Sequence, residues 1–568
     1  MPIYQITPLA PAYLLLLGAI VSLAAGPALV PRRRHGLAVA VSALAVLSLF
    51  FVGSGYAAEA QLVWVLVEWL GAPALALRIP PFEPFLAVLL LSLLAITLAE
   101  RDVVDRLSAR EQAMLFALAA TACGVILAGN YRTLAYALLL FDATAALFAL
   151  AAKRPRTAVG RLLLGVLSST AVILLTQGTD YLIAHPGDLG VLFSLTIWLR
   201  LGLYPLVESD APVGSLPPMR LGWTVLNLTV GLYLASAGAG PGLVWLAGAA
   251  MVLHGVLAWL EPSREQALAH AGYALAGGIL TMTAALGGGS GSVAASMSIL
   301  AALVALGLTS PRLGRPDGSH PLGLWAYLPP LLATASLIGI PFTVGWVGRG
   351  ALYQATWDTG VPGVLALVIV AEGAGLSVLY RYWRRLLSSA TAEAGPAGPS
   401  ATALEGGGVL EGDVALDGDD VPTQSGQGVE SLHREGQAEG EVWHVLGATV
   451  VTIPILIPVL GPRLLLGVPP SESVPDLNSL NASLGLVGSL LWALFLGYGR
   501  PRLLDWIPVS RVTLMSTLRL GWLLRGLGRV LDTLGRGLLR IRAVIEGEHY
   551  LAWAILLILG LGLAILLR

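Results

Sequence analysis

Apolar residues run through this chain in long unbroken stretches, not in the alternation of strands or the stripe of a soluble amphipathic helix. About 14–16 such runs, from Pro8–Val30 to residues 549–567, approach the ~20 residues that a helix needs to cross a bilayer. The pattern predicts an all-α polytopic membrane helix bundle, with no convincing strand. The first run has no basic residue before it and Arg32, Arg33 and Arg34 after it, the reverse of a cleavable signal peptide. Every second connection repeats the bias: Arg101, Arg106 and Arg110; Lys153, Arg154 and Arg156; Arg312 and Arg315; Arg500 and Arg502. By the positive-inside rule these connections are cytoplasmic and both termini lie outside.

Two stretches break the pattern. Residues 388–441 turn to Gly, Ala, Ser, Glu and Asp, with Asp413, Asp417, Asp419 and Asp420. They lack the apolar content to fold and are read as a disordered cytoplasmic linker. Over Val512–Ile545, Leu520, Leu523, Leu524, Leu527, Leu531, Leu534 and Leu538 recur at helical spacing, with Arg525, Arg529, Arg536 and Arg540 on another face. Such a basic amphipathic helix lies flat on the inner membrane surface. The organisation is then 1–110, N-terminal helices and an outer loop; 111–387, the core; 388–441, the linker; 442–511, C-terminal helices; and 512–568, the surface helix and a last span.

Composition narrows the function classes. The chain is 56% hydrophobic and 12% charged, which places it among polytopic membrane proteins. Its net charge of −1 offers nothing to nucleic acid. The single cysteine, Cys123, rules out intrachain disulfides and thiolate-ligated clusters. The eight histidines are scattered, with no pair at metal-ligand spacing. GGGSGS at Gly287–Ser292 lacks the Gly-Lys-Ser/Thr of a phosphate loop. No catalytic motif, metal site or cofactor site is predicted.

What remains is a set of ionisable residues inside apolar helices: Asp142 in LLLFDATAALF, Arg161 in AVGRLLLGVLSS, Arg200 in IWLRLGLYP, Arg349 in TVGWVGRG and Glu372 in VIVAEGAGL. Intramembrane charges of this kind face the bundle interior, pair with one another and mark ion paths, or serve only as an internal ion-pair lattice. Pro205 follows Arg200, and Pro341 and Gly345 precede Arg349. Proline removes a backbone donor, so two helices are predicted to break at membrane depth, where irregular backbone is tolerated only beside protein or a cavity. Glu208 and Asp210 follow the first break.

With these residues in view, the chain resembles the antiporter-like membrane subunits of respiratory complex I, of membrane-bound hydrogenases and of multisubunit cation/proton antiporters. LFDATAALFAL is similar to the family's fifth helix, with Asp142 at its glutamate position. AVGRLLLGVLSS is similar to the sixth, with Arg161 at a lysine position and Gly165 kept. LRLGLYPLVESDAP is similar to the broken seventh, with Arg200 at the lysine, Pro205 kept and Asp210–Ala211 matching. GIPFTVGWVGRGALYQA is similar to the broken twelfth, with Arg349 at the lysine, and YRYWRRL to the ending of the following helix. The match covers about residues 112–385. It implies two inverted repeats, each with one broken helix, and half-channels joined by a charged axis. It also implies other membrane and peripheral subunits of a respiratory complex as partners, protons or monovalent cations as cargo, and a multi-pass chain in a prokaryotic inner (plasma) membrane. Any enzymatic role would be that of a non-redox membrane subunit of a proton-translocating oxidoreductase. The alternatives implied are a non-pumping scaffold or a component of a cation/proton antiporter.

The departures from the family concern proton chemistry. Each lysine position named above holds arginine, and the eighth-helix position holds Asn227. Lysine loses its proton readily on burial; arginine is effectively always protonated. Arg200, Arg161 and Arg349 are therefore permanent counter-charges, with Asp142 expected against Arg200 or Arg161, and proton movement falls to Asp142, Glu372 and water. The topology carries its own test: a reporter fused at Gly412 should be active only on the cytoplasmic side, and activity outside would overturn the orientation.

Overall fold

A computed structural model describes residues 9–54, 62–69, 72–79, 83–100, 107–151, 154–175, 191–203, 217–236, 240–286, 289–309, 323–393, 442–456 and 480–506, with isolated positions from Thr513 to Arg536. The chain is a helix bundle. Its helices are α1 (Ala10–Ala24), α2 (Pro31–Ser54), α3 (Pro84–Ala99), α4 (Ala109–Ile126), α5 (Tyr131–Ala151), α6 (Pro155–Leu175), α7 (Val191–Leu201) and α8 (Pro217–Ser236). They continue with α9 (Val244–Leu260), α10 (Arg264–Leu286), α11 (Ser290–Thr309), α12 (Leu328–Ile338), α13 (Val344–Asp358), α14 (Pro362–Glu393), α15 (Val442–Leu456) and α16 (Leu480–Asp505). Among the described residues, 6 helical stretches are both long and apolar enough to cross a membrane, and five shorter helices are as apolar. The most enclosed span is α11, a run of small and aliphatic residues 83% buried within the bundle.

Small residues bring several helix pairs close together. Gly255 of α9 lies so close to α14 that an added Cβ would come within 2.6 Å of the Ala371 carbonyl oxygen. Close backbone approach of this kind replaces the hydrophobic drive that is absent between helices in lipid. Helix ends carry their own signals. Ser108 opens α4 with a capping box: its hydroxyl accepts from the Glu111 amide at 3.3 Å, and the Glu111 carboxylate accepts from the Ser108 amide at 2.7 Å.

Three expectations are corrected or bounded. The chain does contain strands: β1 (Leu62–Trp69) and β2 (Ala72–Ile79) pair antiparallel, from Leu62 opposite Ile79 to Trp69 opposite Ala72. The segment LVWVLVEW is rich in β-branched and aromatic residues and too short to span, which favours a hairpin once it leaves the apolar runs. The hairpin is docked on the α4–α5 turn: the Ala76 amide donates to the Thr133 hydroxyl at 2.8 Å and the Gly129 amide to the Ala76 carbonyl at 2.7 Å. The second correction is α14, which continues as helix to Glu393, past the expected start of the linker at Ser388. Its polar residues add turns to a helix already nucleated by the apolar run. The rest of the linker and the last span at 549–567 lie outside the described residues. Of the surface helix, Thr513, Leu514, Leu518, Arg529, Thr533 and Arg536 are described; all are helical, the two leucines half-buried and the other four exposed.

The last turn of α9 is tied to two other helices. Arg381 of α14 donates to the Trp259 and Glu261 carbonyls at 3.2 and 2.9 Å, and Arg500 of α16 donates to the Trp259 and Leu260 carbonyls at 3.0 and 3.5 Å. The end of a helix leaves carbonyls without intrahelical donors and carries partial negative charge, so cationic donors satisfy both needs. Arg381→Ala or Arg500→Ala should each lower stability by about 1–2 kcal/mol, and the double variant should lose more than either. Thermal unfolding of the purified protein in detergent checks this.

Candidate functional site

The five charged residues singled out in the sequence gather at two places, one at the end of α7 and one at the break between α12 and α13. At the first, Asp142 projects from α5 into the interface with α6 and α7 and is fully buried. Both arginines reach it. Arg161 Nη1 of α6 lies 3.7 Å from Asp142 Oδ1, and Arg200 Nη2 of α7 forms an ion pair with Asp142 Oδ2. Gly165 makes the approach possible: a Cβ there would fall 2.9 Å from the Asp142 Cβ and 3.1 Å from Oδ2. Each guanidinium also has a second support. Arg200 Nη2 donates to the Ser168 hydroxyl at 2.8 Å, and Arg161 sits over the ring of Trp223 of α8, 5.0 Å from its centroid. Helix α7 ends one residue beyond Arg200, and Gly202 takes a φ of +62° there. Pro205, Glu208 and Asp210 lie outside the described residues.

At the second place, Arg349 of α13 pairs with Glu372 of α14 at 2.8 Å, both buried. The Tyr353 hydroxyl donates to the other Glu372 oxygen, Oε2. The break is fully described. α12 stops at Gly339, whose φ of +76° closes the helix in the left-handed conformation. Ile340, Pro341 and Phe342 follow, and Thr343 caps α13 through a 3.4 Å hydrogen bond from the Trp346 amide. Pro341 thus lies in the break itself. Gly345 lies one residue inside α13, where any side chain would strike the Ser336 carbonyl of α12; it is a packing residue. A cavity of about 30 Å³ borders Arg349 and Glu372, with Ser298, Gly345 and Gly348 among its walls. That is room for one or two waters.

Several residues at these places were not legible in the sequence. Tyr353 stands four residues after Arg349, on the same helical face, and that spacing was a usable signal. Ser168 and Trp223 gave none. The histidines, scattered in sequence, include a pair brought together by the fold: the rings of His254 on α9 and His270 on α10 are 5.8 Å apart, with Tyr273 5.4 Å from His254. Among the described residues, no group of three or more His, Cys, Asp or Glu side chains could hold a metal ion.

Solved structures share this architecture. The chain superposes over 99% of its length on 100% of a chain of the membrane-bound sulfane sulfur reductase, an archaeal respiratory membrane complex, with a TM-score of 0.61 and 15% identity. It superposes over 98% of its length on 62% of a chain of the Mrp complex from Dietzia sp., again at 0.61 and 15%. A chain of respiratory complex I from Thermus thermophilus is matched over 98% of its length by 79% of this one, at 0.52 and 17%. The chain shares the fold of these membrane-complex chains. No family model and no curated protein matches the sequence. The likeness therefore rests on the course of the backbone.

The geometry sets a stability expectation. Deleting one member of a buried ion pair strands the other charge. Arg200→Ala should destabilise the protein by about 3–5 kcal/mol. Gly165→Val, which pushes α6 off Asp142, should cost about 1–3 kcal/mol. Denaturation midpoints of the purified variants in detergent provide the measurement.

Proposed function

We propose that this chain is a proton-translocating, antiporter-like subunit of a multisubunit respiratory membrane complex. The observation that carries the reading is the placement of one buried carboxylate at the end of α7 and one at the α12–α13 break, each held by fixed cations. Asp142 stands near the end of α7 with Arg161 and Arg200, and Glu372 at the α12–α13 break with Arg349. Three buried ion pairs add little to stability over apolar packing of the same volume. Their coincidence with a helix end and a helix break, where irregular backbone can meet water, favours a role in moving charge. Protons and not larger cations suit the geometry, because each oxygen of Asp142 and Glu372 already faces a guanidinium or a hydroxyl. The solved chains with this fold come from respiratory and Mrp complexes, which supports assembly with partner subunits in a membrane.

In this scheme the arginines never give up a proton, because a guanidinium stays charged in proteins. They hold the carboxylates in place and set how readily each takes a proton. Asp142 and Glu372 are the groups that change charge state, with water carrying protons between them and the two surfaces.

One feature favours a second reading, a scaffold that keeps the fold without the pump: the three positions where the resemblance places lysine are Arg161, Arg200 and Arg349. Proton pumping by the reconstituted complex separates the two. Asp142→Asn and Glu372→Gln, both close in shape to the parent, should each reduce pumping at least tenfold in a complex that still assembles, while Arg200→Lys should still assemble. If both carboxylate variants pump like the parent, the scaffold reading stands and the proton relay falls.

A further inference from the structure

The two charged places differ in what lies behind them. Asp142 is enclosed by α5, α6, α7 and α8. Glu372 is backed by α16, a helix beyond the region of family resemblance. One face of α16 runs along the whole of the second place. Leu486 packs into the helix break, 3.0 Å from where a Cβ on Gly339 would stand. Gly485 lies flat against the ring of Tyr353, so close that an added Cβ would fall 2.6 Å from its Cγ. One turn on, Trp492 and the Ser489 carbonyl crowd Gly373, the neighbour of Glu372, at 2.6 and 2.9 Å from a Cβ there. The Ser489 side chain also neighbours the Tyr353 hydroxyl, its own proton going to the Leu486 carbonyl at 2.9 Å. Tyr353 is fully buried, and its hydroxyl donates to Glu372 Oε2.

A tyrosine ring has few places to go in such a setting. Its hydroxyl reaches Glu372 because the ring is pinned between α13, which carries it, and the bare backbone of Gly485. Arg349 holds Oε1 of the same carboxylate, so the two oxygens are addressed by different helices. The guanidinium contact depends on α13 and the break. The hydroxyl contact depends on α16.

We propose that α16 is the positioning element of the Glu372 place: it fixes Tyr353 on the carboxylate, and Tyr353 is thereby a positioning residue for the proton that Glu372 takes up and releases. This rests on the proton-moving reading above and deepens it. Tyr353 sets the readiness of Glu372 to accept a proton, and any displacement of α16 alters that readiness while the Asp142 place, which α16 does not back, keeps its own.

The test uses the full chain in its membrane complex, with infrared spectroscopy of the carboxylate stretch. The band belonging to Glu372 is identified as the one lost in Glu372→Gln. Tyr353→Phe removes one hydrogen bond to the carboxylate and should shift that band. Gly485→Ala should shift it in the same direction, and in the Tyr353→Phe background it should add nothing, because both act through the one hydroxyl. Proton translocation should fall roughly tenfold in each, the scale of one hydrogen bond to a charged group. Gly488→Ala, on the same helix and with only ordinary contacts to Ile369 at 3.7 Å, should leave band and rate alone. Should Gly485→Ala fail to assemble, Ser489→Ala carries the same comparison without adding bulk. A Glu372 band unmoved by Gly485→Ala or Ser489→Ala, or shifts that add in the double variants, would overturn the proposal. If the parent complex moves no protons yet the shifts occur and fail to add, the positioning holds and the proton-moving reading is what falls.

Discussion

A carboxylate buried in an apolar bundle has to be met by positive charge, and the central helices of this protein are arranged around that requirement. Asp142 is fully enclosed, and both Arg161 and Arg200 reach it. Removing such groups from water costs several kcal/mol per ion, recovered only with close geometry and further hydrogen bonds. The surrounding residues supply that geometry. Gly165 removes the side chain that would hold α6 away, Ser168 takes a hydrogen of Arg200, and the Trp223 ring lies over Arg161. The packing of α5 through α8 is therefore as much a consequence of the charge as of the apolar faces.

The second charged place solves the same problem with different parts. Arg349 meets one oxygen of Glu372, and a tyrosine hydroxyl, not a second arginine, meets the other. One place is thus held by two permanent charges and the other by one charge and one neutral donor. The difference is chemical as well as structural, since a hydroxyl can accept as well as donate and a guanidinium cannot. The cavity beside Arg349 and Glu372 adds room for water at the break between α12 and α13.

Arginine in place of lysine gives the family-like architecture a different electrostatic character. Lysine in such a position can exist in either charge state; arginine imposes a fixed positive potential on its neighbours. The fold tolerates this because each arginine has a carboxylate within ion-pair distance among the described residues.

Much of this was legible in the order of residues. Long apolar runs can only be satisfied as helices in lipid, so the all-α bundle followed from hydropathy. The charges within those runs could not face lipid, so Asp142, Arg161, Arg200, Arg349 and Glu372 had to turn inward, and Pro341 had to break its helix. The hairpin at Leu62–Ile79 was overlooked because its alternation is short and lies between stronger signals. Which charges meet was decided only in three dimensions. Asp142 was expected against one arginine and is reached by both, because α6 and α7 converge on it through the space left at Gly165. Ser168, Trp223 and the His254–His270 pair carry no mark in sequence, since their partners come from other helices. Local periodicity sets which face of a helix is apolar; only the crossing of helices sets what that face touches.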